Sequence, residues 1–121
     1  MEQILGNSDI ANWIGNKSTS TGLIDIMNAK LINSTIGTNP NESFKKGDAL
    51  PPLWHWFAFP SPTHLNQLSD DGHPRHVGYI PPQNLTRRMW ASGSLTFHSD
   101  LKIGEEITKD TTLLDIKEKK S

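Results

Sequence analysis

Leu50-Pro51-Pro52-Leu53-Trp54-His55-Trp56-Phe57 and, further on, Arg87-Arg88-Met89-Trp90-Ala91-Ser92-Gly93-Ser94-Leu95-Thr96-Phe97-His98 are the stretches on which the reading of this chain turns. Between Leu50 and His98 lie three of the four tryptophans, seven of the eight prolines and all five histidines. Large rings beside rigid turns point to a shaped pocket wall, because an ordinary core is built mainly from Leu, Ile and Val. In the second stretch Met89, Ala91, Gly93, Leu95 and Phe97 alternate with Trp90, Ser92, Ser94, Thr96 and His98. That period of two predicts a strand over 89–98 with one apolar face. In the first, residues 53–59 are apolar apart from His55 and bracketed by Pro52 and Pro60, which fits a buried strand or a helical turn equally well.

Working outward, residues 100–104 read as a turn and 106–117, rich in Thr, Ile and Leu, as a second strand pairing with the first in a hairpin-like ribbon. Residues 60–78 form a long connection with little pattern, the kind that serves as a lid or binding loop. Upstream, Ile24, Met27, Leu31 and Ile36 recur at helical spacing behind Asp25, a candidate cap. They predict a short extended entry over 21–24 and a helix over 26–36 ending near Gly37. Residues 38–48 read as a polar loop and 17–22 as a Ser/Thr-rich connector. A first short helix, capped by Ser8 and stopped near Gly15, completes an N-terminal helix and connector over 1–20.

The chain of 121 residues is one domain by size, read as 1–121, and its class is α+β. A net charge of −1 gives no electrostatic footprint for nucleic acid. No apolar run approaches the ~20 residues that cross a bilayer, and the opening Met1-Glu2-Gln3-Ile4-Leu5-Gly6-Asn7 lacks the features of a signal peptide. With no cysteine there is no disulfide framework, no thiolate nucleophile and no thiolate zinc site. A soluble cytoplasmic protein without metal or cofactor is the expectation. A two-stranded ribbon with one apolar face is not stable by itself, and its edge needs covering. The chain therefore either meets a second chain or is part of a longer protein.

The words Gly47-Asp48-Ala49-Leu50-Pro51-Pro52-Leu53-Trp54-His55-Trp56, Gly78-Tyr79-Ile80-Pro81-Pro82 and Arg87-Arg88-Met89-Trp90-Ala91-Ser92-Gly93 stand in this order. They are followed by Phe97-His98 and Leu101-Lys102-Ile103-Gly104-Glu105. Together, and with Trp13-Ile14-Gly15 upstream, they resemble the N-terminal half of MaoC-like acyl-thioester hydratases and dehydratases over roughly residues 10–118. Within that family they sit nearest the branch of mesaconyl-CoA hydratase and the type 2 hydroxyacyl-thioester dehydratases. The resemblance implies a hot-dog fold, a curved antiparallel sheet around a central helix, incomplete in this chain and completed by a second unit. It also implies an acyl-CoA or acyl-carrier-protein substrate and a place in fatty acid metabolism. Catalysis in the family belongs to a motif of the form Gly-Asp-x-Asn-Pro-x-His. The nearest match here, Gly37-Thr38-Asn39-Pro40-Asn41-Glu42, has threonine in place of the aspartate and no histidine after Pro40. A threonine hydroxyl is no general base at neutral pH, so no catalytic residue is assigned and the Asp/His pair is expected from a second hot-dog unit, in cis or in trans.

Trp54, His55 and Trp56 are candidate channel residues. In an extended run both indoles would share one face and His55 the other; the competing reading is ordinary core packing. Arg87 and Arg88 could bind coenzyme A phosphates through bidentate contacts, or be a surface residue and a partner of Asp70 or Asp71. Trp90 completes the candidate substrate-binding set. His73-Pro74-Arg75-His76 is a poor ligand arrangement and reads as loop, His98 as a half-exposed structural histidine, and Asp70-Asp71-Gly72 as a turn. The function that follows is the substrate-binding half of an enoyl-thioester hydratase or 3-hydroxyacyl-thioester dehydratase, working as a homo- or hetero-oligomer such as a dimer. The alternative is a non-catalytic thioester- or lipid-binding assembly module. A tryptophan-rich carbohydrate-binding domain fits poorly, since such domains are usually exported.

Overall fold

The structure, a computed structural model, describes residues 7–82 and 88–119. Helix α1 (Asn7–Ala11) leads through turns to strand β1 (Lys17–Leu23) and helix α2 (Ile26–Ile36). Two short 3₁₀ segments, Trp54–Ala58 and Leu65–Gln67, precede strand β2 (Glu106–Thr112). The chain gathers into two compact units. One holds the described residues of Met1–Thr19, Pro62–Ser92 and Asp110–Ser121; the other holds Ser20–Ser61 and Gly93–Lys109. This α+β content, a helix and a two-stranded sheet, is compatible with a hot-dog domain.

The sheet consists of β1 and β2. The Gly15 N–H donates to Leu113 O (2.7 Å), the Leu113 N–H to Asn16 O (2.9 Å), and at the far end the Gly104 N–H to Ile24 O (3.0 Å), which makes the pairing antiparallel. The Thr19 hydroxyl adds a cross-strand bond to Asp110 Oδ1 at 2.8 Å. Residues 17–22, expected as a connector, are therefore strand. The stretch is polar on both sides and lacks the alternation that marks a buried face, but threonine tolerates a pleated surface and β2 supplies its hydrogen bonds.

The reverse correction applies to 89–98. Residues 88–100 contain no regular strand and are exposed throughout. Alternation specifies which side chains would share a face, but a strand needs a neighbour for its backbone. Among the described residues β2 pairs with β1 and no strand partners 89–98, so the expected hairpin is absent. β2 also stops at Thr112 rather than Lys117. The segment before it pairs elsewhere, through an antiparallel bridge between Ala49 and Lys102. The bonds there run from the Leu50 N–H to Leu101 O (2.6 Å) and from the Ile103 N–H to Asp48 O (2.9 Å).

α2 follows its sequence signals closely. Asp25 holds extended backbone angles and its carboxylate accepts from the Asn28 N–H at 2.8 Å, an N-cap that satisfies one orphan donor. The helix buries Ala29 and Ile32. Its last turn is tied by the Ser34 and Thr35 hydroxyls, both donating to Leu31 O, and by the Gly37 N–H to Asn33 O at 2.9 Å. Ala29 packs with Ile24, Leu50, Ala58 and Ile103 in the core, around which Phe44, Trp54, Phe59 and Ile107 are arranged. α1 begins at Asn7, so Ser8 lies inside it rather than at its cap. Gly15, expected to stop this helix, adopts φ +90° four residues beyond its end, a conformation that glycine takes without strain.

Candidate functional site

A single non-glycine residue among those described, Leu53, has a positive φ, +76°. It follows Pro51 and Pro52 and turns the backbone into the 3₁₀ segment Trp54–Ala58, whose entry is closed by the Trp54 N–H to Pro51 O (3.2 Å) and the Trp56 N–H to Leu53 O (3.1 Å). Of the two expectations for 53–59 the structure adopts the helical turn. The extended geometry that would have set both indoles on one face is absent. At three residues per turn, Trp54, His55 and Trp56 point in three directions.

Trp54 alone of the three lines a cavity of about 550 Å³. Its ring stands against Phe44, centroids 5.5 Å apart and planes tilted by 57°, and Ile36, Ala49 and Pro51 are the other apolar residues of the lining. The lining also carries polar residues, Asn33, Thr38, Asn39, Glu42 and Asp48, with Gly37 at the end of α2. The polar wall is braced from within. The Asn33 amide donates to Asn39 O at 3.0 Å, the Asn39 amide to Glu42 Oε2 at 3.3 Å, and Asn39 Oδ1 accepts from the Asn41 N–H at 3.0 Å. The Lys45 N–H donates to Asp48 Oδ2 at 2.8 Å. The segment Gly37-Thr38-Asn39-Pro40-Asn41-Glu42, set apart in the sequence for its degenerate motif, thus supplies much of this wall.

His55 lies beside Trp56, centroids 6.0 Å apart, and beside Phe97 at 6.4 Å, both edge-on. Trp56 is 59% exposed and Trp90 80% exposed. Arg88 and Trp90 belong to the other unit. The Arg88 guanidinium donates to Pro74 O at 3.3 Å, and Arg87 lies outside the described residues. His98, expected half-exposed, is exposed. The turn at 69–73 is a closed local network. The Ser69 hydroxyl donates to Asp71 Oδ1 (2.6 Å), the His73 N–H donates to the same oxygen (3.0 Å), and His73 Nδ1 stands 3.0 Å from Asp71 Oδ2. The Ser69 hydroxyl first, then the His73 backbone N–H and side chain, lower the Asp71 carboxyl to about 2.

Residues 53–121 match the family described as hydroxyacyl-thioester dehydratase type 2. The chain belongs to this hydroxyacyl-thioester dehydratase family. Its 3₁₀ turn at Trp54–Ala58 falls within the matched region, whereas α2 and the loop after it lie before it. A mesaconyl-C(4)-CoA hydratase from Chloroflexus aurantiacus is 36% identical over 116 residues, 95% of this chain. The chain spans 41% of that hydratase's length.

Three wall residues, Asn33, Phe44 and Asp48, carried no functional reading in the sequence. Phe44 was the available signal, a lone large ring in an otherwise polar loop.

Proposed function

We propose that this hydroxyacyl-thioester dehydratase family member is the substrate-binding hot-dog unit of an enoyl-thioester hydratase or 3-hydroxyacyl-thioester dehydratase. The reaction is reversible addition of water across the double bond conjugated to the thioester, with acyl-CoA or acyl-carrier-protein as substrate. The observation that carries this reading is the cavity at the carbonyl end of α2, lined by Trp54 and Phe44 together with residues of the loop 37–42. A cleft of this size with both apolar and polar lining suits an acyl chain and the polar stem beside it.

Hydration needs a base and an acid within hydrogen-bond reach of the reacting atoms. It also needs a positive pole at the thioester oxygen, where charge builds in the transition state. Among the described wall residues the titratable groups are two exposed carboxylates, Glu42 and Asp48, without an imidazole. The helix end that faces the cleft is the C-terminal one, whose dipole is negative. Both features favour binding over chemistry in this unit. The Asp/His pair then comes from a second hot-dog unit, in the same polypeptide or in another, which also covers the sheet edge and completes the fold. A cytoplasmic dimer or larger oligomer acting in fatty acid metabolism accords with this reading.

The test combines light scattering with an absorbance assay for hydration of crotonyl-CoA and mesaconyl-CoA. The chain alone is expected to bind without turnover, and turnover is expected once a unit bearing Gly-Asp-x-Asn-Pro-x-His is supplied. Turnover by the chain alone would overturn the assignment and direct attention to Glu42, Asp48 and His55. Binding without turnover in every combination would identify a thioester-binding assembly module instead.

A further inference from the structure

We infer that the cavity of the Ser20–Ser61 and Gly93–Lys109 unit selects neutral acyl chains and rejects those ending in a carboxylate; this rests on reading the cavity as the acyl site. Three features give the wall one sign. Glu42 and Asp48 are carboxylates, both exposed at the cavity. The end of α2 that meets the cavity at Asn33, Ile36 and Gly37 is its carbonyl end, which carries partial negative charge. Among the described wall residues there is no lysine, arginine or histidine.

The cations nearest in sequence, Lys45 and Lys46, are not among the lining residues; the aliphatic stem of Lys46 runs against Gly104, where a Cβ would meet Lys46 Cγ at 2.7 Å. The wall's two bonded amides each have one N–H engaged. Asn33 donates to Asn39 O and Asn39 to Glu42. A neutral donor such as the Thr38 hydroxyl can bond a carboxylate but brings no positive charge to offset Glu42 and Asp48, whereas a plain hydrocarbon or a hydroxyl meets no like charge. The related hydratase is named for a substrate that carries a free carboxylate, so the two proteins would differ in acyl preference.

The size of the effect follows from Coulomb's law. Each wall carboxylate roughly 6 Å from an acyl carboxylate in a water-like medium weakens its binding about threefold, so the pair gives about tenfold. Because both groups are solvated, salt compresses the difference.

The measurement is calorimetric binding of crotonyl-CoA and mesaconyl-C(4)-CoA to the chain at low ionic strength. The coenzyme A moiety is common to both ligands, so its phosphates cancel in the ratio. Crotonyl-CoA is expected to bind about tenfold more tightly, and the ratio to fall to about one in Glu42→Gln/Asp48→Asn. Both replacements keep an oxygen for the Asn39 and Lys45 donors; each single variant should narrow the ratio about threefold. Glu118→Gln changes net charge by one unit, as each single variant does, far from the wall in sequence, and should leave the ratio alone. A ratio that survives in the double variant, or that Glu118→Gln narrows as much, overturns the inference. Failure of both thioesters to bind would overturn the thioester-binding reading and the inference with it, whereas equal binding overturns the inference alone.

Discussion

Gly22→Ala should be among the most disruptive small substitutions in this chain. A Cβ at Gly22 would overlap the backbone oxygen of Ala58 and lie 2.7 and 2.8 Å from Phe59 Cδ1 and Cε1. Carbon atoms meet favourably at about 3.5–4.0 Å, so the ring and the carbonyl must each retreat by about 1 Å. The ring could rotate, although Lys109 Nζ lies 4.8 Å from its centroid. The carbonyl is the last of the 3₁₀ turn that carries Trp54, and Ala58 is 2% exposed, so its movement disturbs the core. Overpacking of this kind costs about 1–3 kcal/mol, and a backbone obstacle puts it at the upper end. The reduced freedom of the unfolded chain returns about 0.4–1 kcal/mol. The net loss is about 2 kcal/mol, or roughly 10 °C in Tm for a domain of this size. Urea unfolding followed by tryptophan fluorescence measures it directly. Gly78→Ala is the control, since a Cβ at Gly78 meets nothing within 4 Å. If the two variants unfold at midpoints equivalent to within about 0.5 kcal/mol, below the usual scale for a packing defect, the reasoning from the close approach of β1 to the 3₁₀ turn is refuted.

Asp25→Ala removes the N-cap of α2 and should cost about 1 kcal/mol, seen in the unfolding midpoint and largely restored by Asp25→Asn. Ile103→Ala empties the most enclosed large side chain of the core, 1% exposed, and should cost about 2–4 kcal/mol in the same assay. The Asp71 carboxyl, lowered from 3.8 to about 2, favours the folded state fully above about pH 3.8 and loses that contribution as pH falls towards 2. Asp71→Asn should flatten this acid limb, and an NMR titration of the Asp71 carboxyl carbon with a midpoint near 4 would contradict the Ser69 and His73 contacts.

What the sequence disclosed was whatever is encoded locally. α2 was legible to the residue because its cap, its apolar spacing and its terminating glycine lie within a dozen positions. Of the strands, β2 was expected from Glu106 but with the wrong partner, and β1 was read mostly as a connector, because pairing is decided at a distance. The Ser/Thr-rich residues 17–22 carried no period-two apolar face and became strand by meeting β2, whereas 89–98 carried a clear alternation and met no partner. The candidate site divided the same way. Trp54 was visible as an unusual residue in an unusual turn, but the wall it faces comes from a loop whose Asn, Thr and Asp residues read as ordinary solvated turn chemistry. The Asx-type bonds of Asn39 and Asp48, which fold that loop on itself, belong to the tertiary structure that brings those polar side chains to a cleft.

The hydroxyl of Thr19 and the carboxylate of Asp110 are bonded across 91 positions of sequence, and that span fixes an order of events. α2 can form within about a microsecond of its residues becoming free, whereas the ribbon must wait for a loop of that length to close and so falls among the slow, non-local contacts of the fold. A chain emerging from the ribosome therefore holds β1 as a bare edge throughout synthesis of everything up to Glu106. Its serines, threonines and Lys17 keep that edge soluble during the wait, so the same polarity that hid the strand from a sequence reading protects it until its partner arrives.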